Sequence, residues 1–199
     1  LFFLLLIFAY SNHFHNPFHF DDDHTIVSNQ SIRSLKNIPK FFTDGTTTSS
    51  LPANQAYRPG LTALNAIDYR ISGTEIPNPF YFHLSIFMSF VLLGIFLFFM
   101  IYKIFNSAVE HHWNKYFALF ATGFFMLHTA NAETINYIIQ RAESFSTLMV
   151  LIAFVIYMYK PYLRKYYLYV IPMVIGFFVK EPALMFVPFV NVIVYLYCL

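Results

Sequence analysis

The chain has 199 residues, of which 58% are hydrophobic and 21% aromatic, while only 11% carry a formal charge. A soluble globular domain is roughly 45–50% apolar and about 25% charged, so this composition excludes a domain with water on every side. The net charge of +2 and the dispersed basic residues exclude a nucleic-acid-binding face, and the one cysteine, Cys198, excludes an internal disulfide.

An apolar run is under way at Leu1 and another is unfinished at Leu199, the pattern expected of a fragment cut inside a membrane segment at each end. A hydrocarbon core about 30 Å thick takes roughly 20 helical residues. On that measure residues 1–10 (LFFLLLIFAY) read as the end of a first span. Residues 80–102, uncharged throughout, read as a complete span, and 116–132 and 144–159 as shorter ones. From 166 to 199 the only charges are Lys180 and Glu181. One helix of that length would extend about 51 Å, so two short spans, 166–179 and 182–199, are expected on either side of Lys180-Glu181-Pro182. The expected fold class is an all-α, multi-pass membrane helix bundle with a long first loop.

The loops at 103–115 and 160–165 hold five Lys or Arg against one acid, Glu110. Short basic loops stay cytoplasmic, which places residues 11–79, the turn at 133–143 and Lys180-Glu181 together on the extracytoplasmic side. Within the first loop, Ile32, Leu35, Ile38, Phe41 and Phe42 recur at helical spacing with Arg33, Lys36 and Lys40 between them, the pattern of a short amphipathic helix over 31–42 lying on the membrane surface. Residues 43–52 (TDGTTTSSLP) read as flexible linker, and a second helix is expected over 61–69.

Four clusters carry potential chemistry. Asp21, Asp22 and Asp23 are adjacent; their repulsion raises the pKa of at least one, as a general base or a cation site requires, whereas an ordinary Asp run is a solvated turn. His13, His15, His19 and His24 surround them with ligand types suited to a divalent metal but without a closed zinc spacing. Arg58, in Tyr57-Arg58-Pro59, carries a guanidinium able to clamp phosphate. His128, Glu133, Tyr137, Arg141 and Glu143 follow the third span, and helical spacing sets Glu133, Tyr137 and Arg141 a turn apart. Lys180-Glu181 is an ionisable pair beside hydrocarbon, read either as cavity-facing or as a neutralised brace between short helices.

Taken together these residues resemble the GT-C superfamily of multi-pass glycosyltransferases, and within it the O-mannosyltransferase-like proteins that combine transmembrane helices with tetratricopeptide repeats. The resemblance rests on FDDDHTIVSNQSIRSLKNIPKFF at 20–42, YRP at 57–59, the series His128, Glu133, NYI at 136–138 and RAE at 141–143 against a family pattern HPxxTExxxYIxxRxE, and VKE at 179–181. Thr129 stands where the pattern has Pro, Ala132 where it has Thr, and Gly60 where Leu often follows YRP. The resemblance implies a GT-C-like fold and metal-independent, inverting transfer of a mannose-type sugar from a polyprenyl or dolichyl phosphate donor to a hydroxyl on a protein or glycan acceptor. It places the general base on Asp21 or Asp22, and donor phosphate and sugar binding on Arg58, His128, Glu133, Arg141, Lys180 and Glu181. The location implied is the bacterial plasma membrane or the endoplasmic reticulum, with the site extracytoplasmic. An ion or solute permease and a catalytically inactive membrane anchor are the alternatives. The sequon Asn29-Gln30-Ser31 falls on the same expected outer side, where it is open to a glycan that would crowd the candidate site.

Overall fold

A computed structural model describes residues 2–185 and Pro188; the expected last span, apart from its first residues, and Cys198 lie outside the described residues. All regular structure among the described residues is helical. Among the described residues nine α-helices run in order: α1 (Phe2–Ala9), α2 (Ile38–Phe41), α3 (Pro59–Ser72), α4 (Pro79–Ala108), α5 (Asn114–Leu127), α6 (Asn131–Asn136), α7 (Arg141–Tyr159), α8 (Pro161–Arg164) and α9 (Val170–Val179), with 3-10 and π turns between them.

Two helical stretches, Pro79–Ala108 and Ile138–Tyr159, are long and apolar enough to cross a membrane. Their most apolar windows are only 28% and 44% buried within the protein. α4 accordingly turns Leu84, Met88, Leu92, Ile95 and Phe99 outward, a stripe of large apolar side chains that water does not favour. α5 has 14 residues and α9 has 10, so both fall short of the spans expected at 116–132 and 166–179. α5 stops where His128 takes up extended backbone, φ −70° and ψ 134°.

Cross-contacts fix the directions of the long helices. Asn114 at the start of α5 donates to Asn106 and Val109 at the end of α4, while Met126 near the end of α5 packs at Gly94, so the two run antiparallel. At Gly94 a Cβ would sit 1.9 Å from the Met126 sulfur; the position requires a residue without one. Tyr159, at the end of α7, donates to the Phe99 carbonyl, and Leu148 packs beside Leu93, so α7 runs parallel to α4. α9 returns antiparallel, with Tyr169 against Tyr157 and Gly176 against Met149. The starts of α4 and α7 and the ends of α5 and α9 therefore share one end of the molecule, which is also where the first loop folds.

That loop differs from its expected form in two places. Residues 31–42 are not one amphipathic helix: 3-10 turns at Gln30–Arg33 and Leu35–Asn37 precede α2. Ser34 interrupts them with extended backbone, φ −141°, and its hydroxyl accepts from the Lys36 amide to start the next turn. Part of the apolar spacing feeds the protein core, since Ile32 and Phe41 are fully buried in the cluster that holds Ile26, Phe82 and Phe90, while Leu35 and Phe42 stay exposed. Residues 43–52 are not flexible linker either. Asp44 caps the turn Gly45–Thr48 by accepting from the Thr46 amide at 2.9 Å, and Thr47, Thr48 and Ser49 are buried. Asn29 pins them by donating to the carbonyls of Thr25, Thr47 and Thr48 at 3.0–3.2 Å. The sequon asparagine is 2% exposed, so its amide is spent on the fold and is closed to a glycan.

The second expected helix is longer than its forecast, covering Pro59–Ser72. Pro59 stands in its first turn, where a missing N–H costs nothing, and Gly73 closes it in the left-handed region at φ 66°.

Candidate functional site at the outer helix ends

The acidic turn after α1 docks on the segment between α6 and α7. The Asp21 amide donates to the Tyr137 hydroxyl at 2.9 Å, and the Ile139 amide donates to Asp22 Oδ1 at 3.0 Å. Asp22 Oδ2 accepts from the His19 amide at 2.9 Å. Two consecutive residues near the N-terminus thus hold, and are held by, a segment more than a hundred positions later. The turn itself is strained, because Phe20 adopts φ 45°, a region that non-glycine residues seldom occupy and that recurs at functional sites.

The two matched carboxylates differ sharply. Asp22 is fully buried, and loss of solvation pushes its pKa up to about 6 against the opposing pull of the two backbone amides. Asp21 has its side chain 57% exposed and lies 3.3 Å from His24 Nε2. His24 is tied in turn to the Ser49 hydroxyl at 2.9 Å and the Asn54 amide at 3.0 Å. Asp23 points elsewhere, toward the Ser28 hydroxyl.

Beside this turn opens a cleft of about 610 Å³ lined by Asn16, His19, Phe20, Glu133, Asn136 and Tyr137. Phe20 is 88% exposed and meets the Tyr137 ring edge-on at 6.2 Å. Burial raises the Tyr137 phenol above its ordinary value, and the nearby Asp21 and Asp22 charges push the same way. The wall is continued inward by His13 and His83, both fully buried. Their Nε2–H groups donate to the carbonyls of His83 and Asn16 at 2.8 and 2.9 Å, and burial lowers the His13 pKa.

Asp21 and Asp22 dock on Tyr137 and Ile139 beside the cleft that Glu133 lines, although neither Asp is among the lining residues, and the structure treats the expected cations otherwise. Each of them is paired with a carboxylate: Arg58 with Glu181 at 3.7 Å, Lys180 with Glu143, and Arg141 with Asp68. Both members of the Arg141–Asp68 pair are 4% exposed, so Arg141 presents no surface to a ligand in this conformation. The cleft lining contains none of the three cations. His128 stands apart as well; it accepts from the Ala130 amide at 3.1 Å and edges an apolar groove of about 630 Å³ between α1 and α5.

Gly60 explains how Arg58 and Glu181 meet. A Cβ there would fall 2.9 Å from the Phe178 backbone and 2.8 Å from Val179, so only glycine lets the start of α3 press on the end of α9. The departure from the family pattern at this position is therefore a packing requirement. Glu143 and Lys180 lie at the same end, with the Lys180 carbonyl accepting from the Ser146 hydroxyl at 3.2 Å. Glu143 follows Ile139 by four residues, so its pair with Lys180 begins in the first turn of the helix that the Asp22-anchoring segment leads into.

Asp68 escaped sequence reasoning, although a signal existed. It lies on the stripe Leu61, Asn65, Asp68, Ser72 of α3, all of it buried, and a carboxylate on an apolar helix face implies a partner. Ser49 lies in the segment 43–52 that reads as linker, and Asn54 lies two residues beyond it with no local signal of its own. Among the described residues no three His, Cys, Asp or Glu side chains converge as a metal-binding group. Comparison with family models, with curated proteins and with solved structures finds no match to this chain.

Proposed function

We propose that this chain is part of the membrane domain of a GT-C-like, multi-pass glycosyltransferase. It moves a mannose-type sugar from a polyprenyl or dolichyl phosphate to a protein or glycan hydroxyl on the outer face of a plasma or endoplasmic reticulum membrane. The observation that carries the proposal is the docking of Asp21 and Asp22 on Tyr137 and Ile139 beside an open cleft. Residues far apart in sequence that share the motif order of this superfamily meet at one end of the bundle, where a base and a sugar are needed. The apolar outward faces of the two long helices suit a lipid-carried donor.

In this reading Asp21 is the base, because its carboxylate is reachable whereas both Asp22 oxygens are occupied by backbone amides. Asp21 takes the proton of the acceptor hydroxyl as its oxygen forms the new bond to the sugar carbon, and the bond from that carbon to the phosphate oxygen breaks. The negative charge gathered on the departing phosphate is met by Arg58 and Lys180, which exchange Glu181 and Glu143 for it. Phe20 and Tyr137 offer aromatic faces to the sugar, and Glu133 and Asn136 offer acceptors and donors for its hydroxyls.

The test is donor consumption by the full-length protein in bilayers, across a panel of polyprenyl-phosphate sugars with hydroxyl acceptors. Transfer from one donor, retained in chelator and weakened in Arg58→Ala mainly through a higher KM, supports the reading. Consumption of no donor by the wild type overturns it.

A further inference from the structure

Arg141 and Asp68 form the most deeply buried ion pair among the described residues, and it joins α3 to the first residue of α7. Asp68 also bonds Ser85 of α4. Burial pushes the Asp68 carboxyl upward while Arg141 holds it down, so either partner left alone would be a desolvated, uncompensated group. The pair therefore locks the position at which the 3-10 turn Ile138–Gln140 runs into α7. The residues just before that lock are the ones that grip the acidic turn: the Tyr137 hydroxyl accepts from the Asp21 amide, and the Ile139 amide donates to Asp22 Oδ1.

We propose that Asp68 and Arg141 are a positioning pair: by clamping the segment 137–141 to α3 they fix Asp21 and Asp22 at the cleft, and Arg141 never touches the donor. The inference rests on the transferase reading for its kinetic consequence, but not for its geometric one. Asp22 is faced by His19 and Asp21 from its own turn and by Tyr137 and the Ile139 amide from the clamped segment. Release of that segment removes an amide donor but also exposes the carboxyl, and because burial is the larger cause of its raised pKa, the Asp22 carboxyl then titrates lower, toward its ordinary value.

The experiment compares full-length wild type in bilayers with Asp68→Asn and with the charge-exchanged double variant Asp68→Arg/Arg141→Asp. Asp68→Asn is expected to lower kcat by about a hundredfold while donor KM holds, and the exchanged pair to recover most of kcat. An exchanged variant that folds and binds acceptor but shows a KM raised as far as Arg58→Ala overturns the proposal, because Arg141 would then be holding phosphate. Infrared titration of the Asp22 carboxyl and exchange of the Ile139 amide provide a readout that needs no turnover and no refolded double variant. In Asp68→Asn the carboxyl midpoint should fall below the wild-type value of about 6 and the amide should lose protection; both unchanged in a folded protein overturns the proposal. If the wild type consumes no donor yet these two shifts occur, the transferase reading fails and the positioning pair stands.

Discussion

The two sides of the outer end are built in different ways. On the acidic side the groups are held by backbone: Asp22 by two amides, Asp21 by a bond from its own N–H to Tyr137. On the cationic side, side chain holds side chain, and the outer two of the three pairs are partly open, Glu143 being 40% and Glu181 60% exposed. Backbone anchorage gives a fixed geometry, whereas an exposed ion pair contributes about 0–1 kcal/mol and exchanges readily. The proposed sugar transfer would use that division, with a base that does not move and cations that can trade an internal carboxylate for an incoming phosphate.

The largest expected effect is on the fixed side. A buried carboxyl whose pKa lies near 6 in the folded protein, against 3.8 ordinarily, favours folding while it is protonated. That contribution is fully present below pH 4 and is lost as pH rises through 6, a difference of about 3 kcal/mol. The unfolding midpoint of the wild type should therefore carry an Asp22 component that falls between pH 4 and 6, and Asp22→Asn should flatten it; an equally steep fall in the variant would place the titration elsewhere.

Next comes the frame of that turn. Asn29→Ala leaves three buried carbonyls without their shared donor and should cost about 2 kcal/mol, read from denaturant unfolding, with no change in glycan occupancy at position 29. A glycan released from wild-type Asn29 would contradict the packed loop. Gly60→Ala tests the junction between the two sides, since its Cβ meets backbone at 2.9 Å; a loss of about 1–3 kcal/mol is expected, and a neutral result would mean that α3 and α9 are not in contact. The smallest effect belongs to Glu143→Gln, which should change stability by under about 1 kcal/mol yet lower donor KM by freeing Lys180. A KM that rises instead would show that Glu143 serves the donor directly.

Much of the helical plan was legible because long uncharged runs have one physical meaning. The α4 and α7 helices coincide with the segments at 80–102 and 144–159, and Pro59 and Gly73 bracket α3 as helix start and stop residues should. The first loop was less legible. The apolar spacing of Ile32 and Phe41 fits a membrane-surface helix or a set of turns folded on a core equally well, and only the tertiary partners decide. The run 43–52 reads as linker because threonine and serine are turn formers, but Thr47, Thr48 and Ser49 are buried, and Asn29, 18 and 19 residues earlier, ties down the first two. In the site, adjacent acids could be recognised but not ranked, since the difference between Asp21 and Asp22 is one of burial and amide contacts that local sequence does not encode. The pairing of Arg141 with Asp68 was hidden for the same reason.

The most direct test is the rate of sugar transfer by full-length protein in single-turnover conditions for wild type and Asp21→Asn, with donor binding measured alongside. The account predicts that Asp21→Asn binds polyprenyl-phosphate sugar as the wild type does but transfers it at least about a hundredfold more slowly. Equal transfer rates in the two proteins would contradict it.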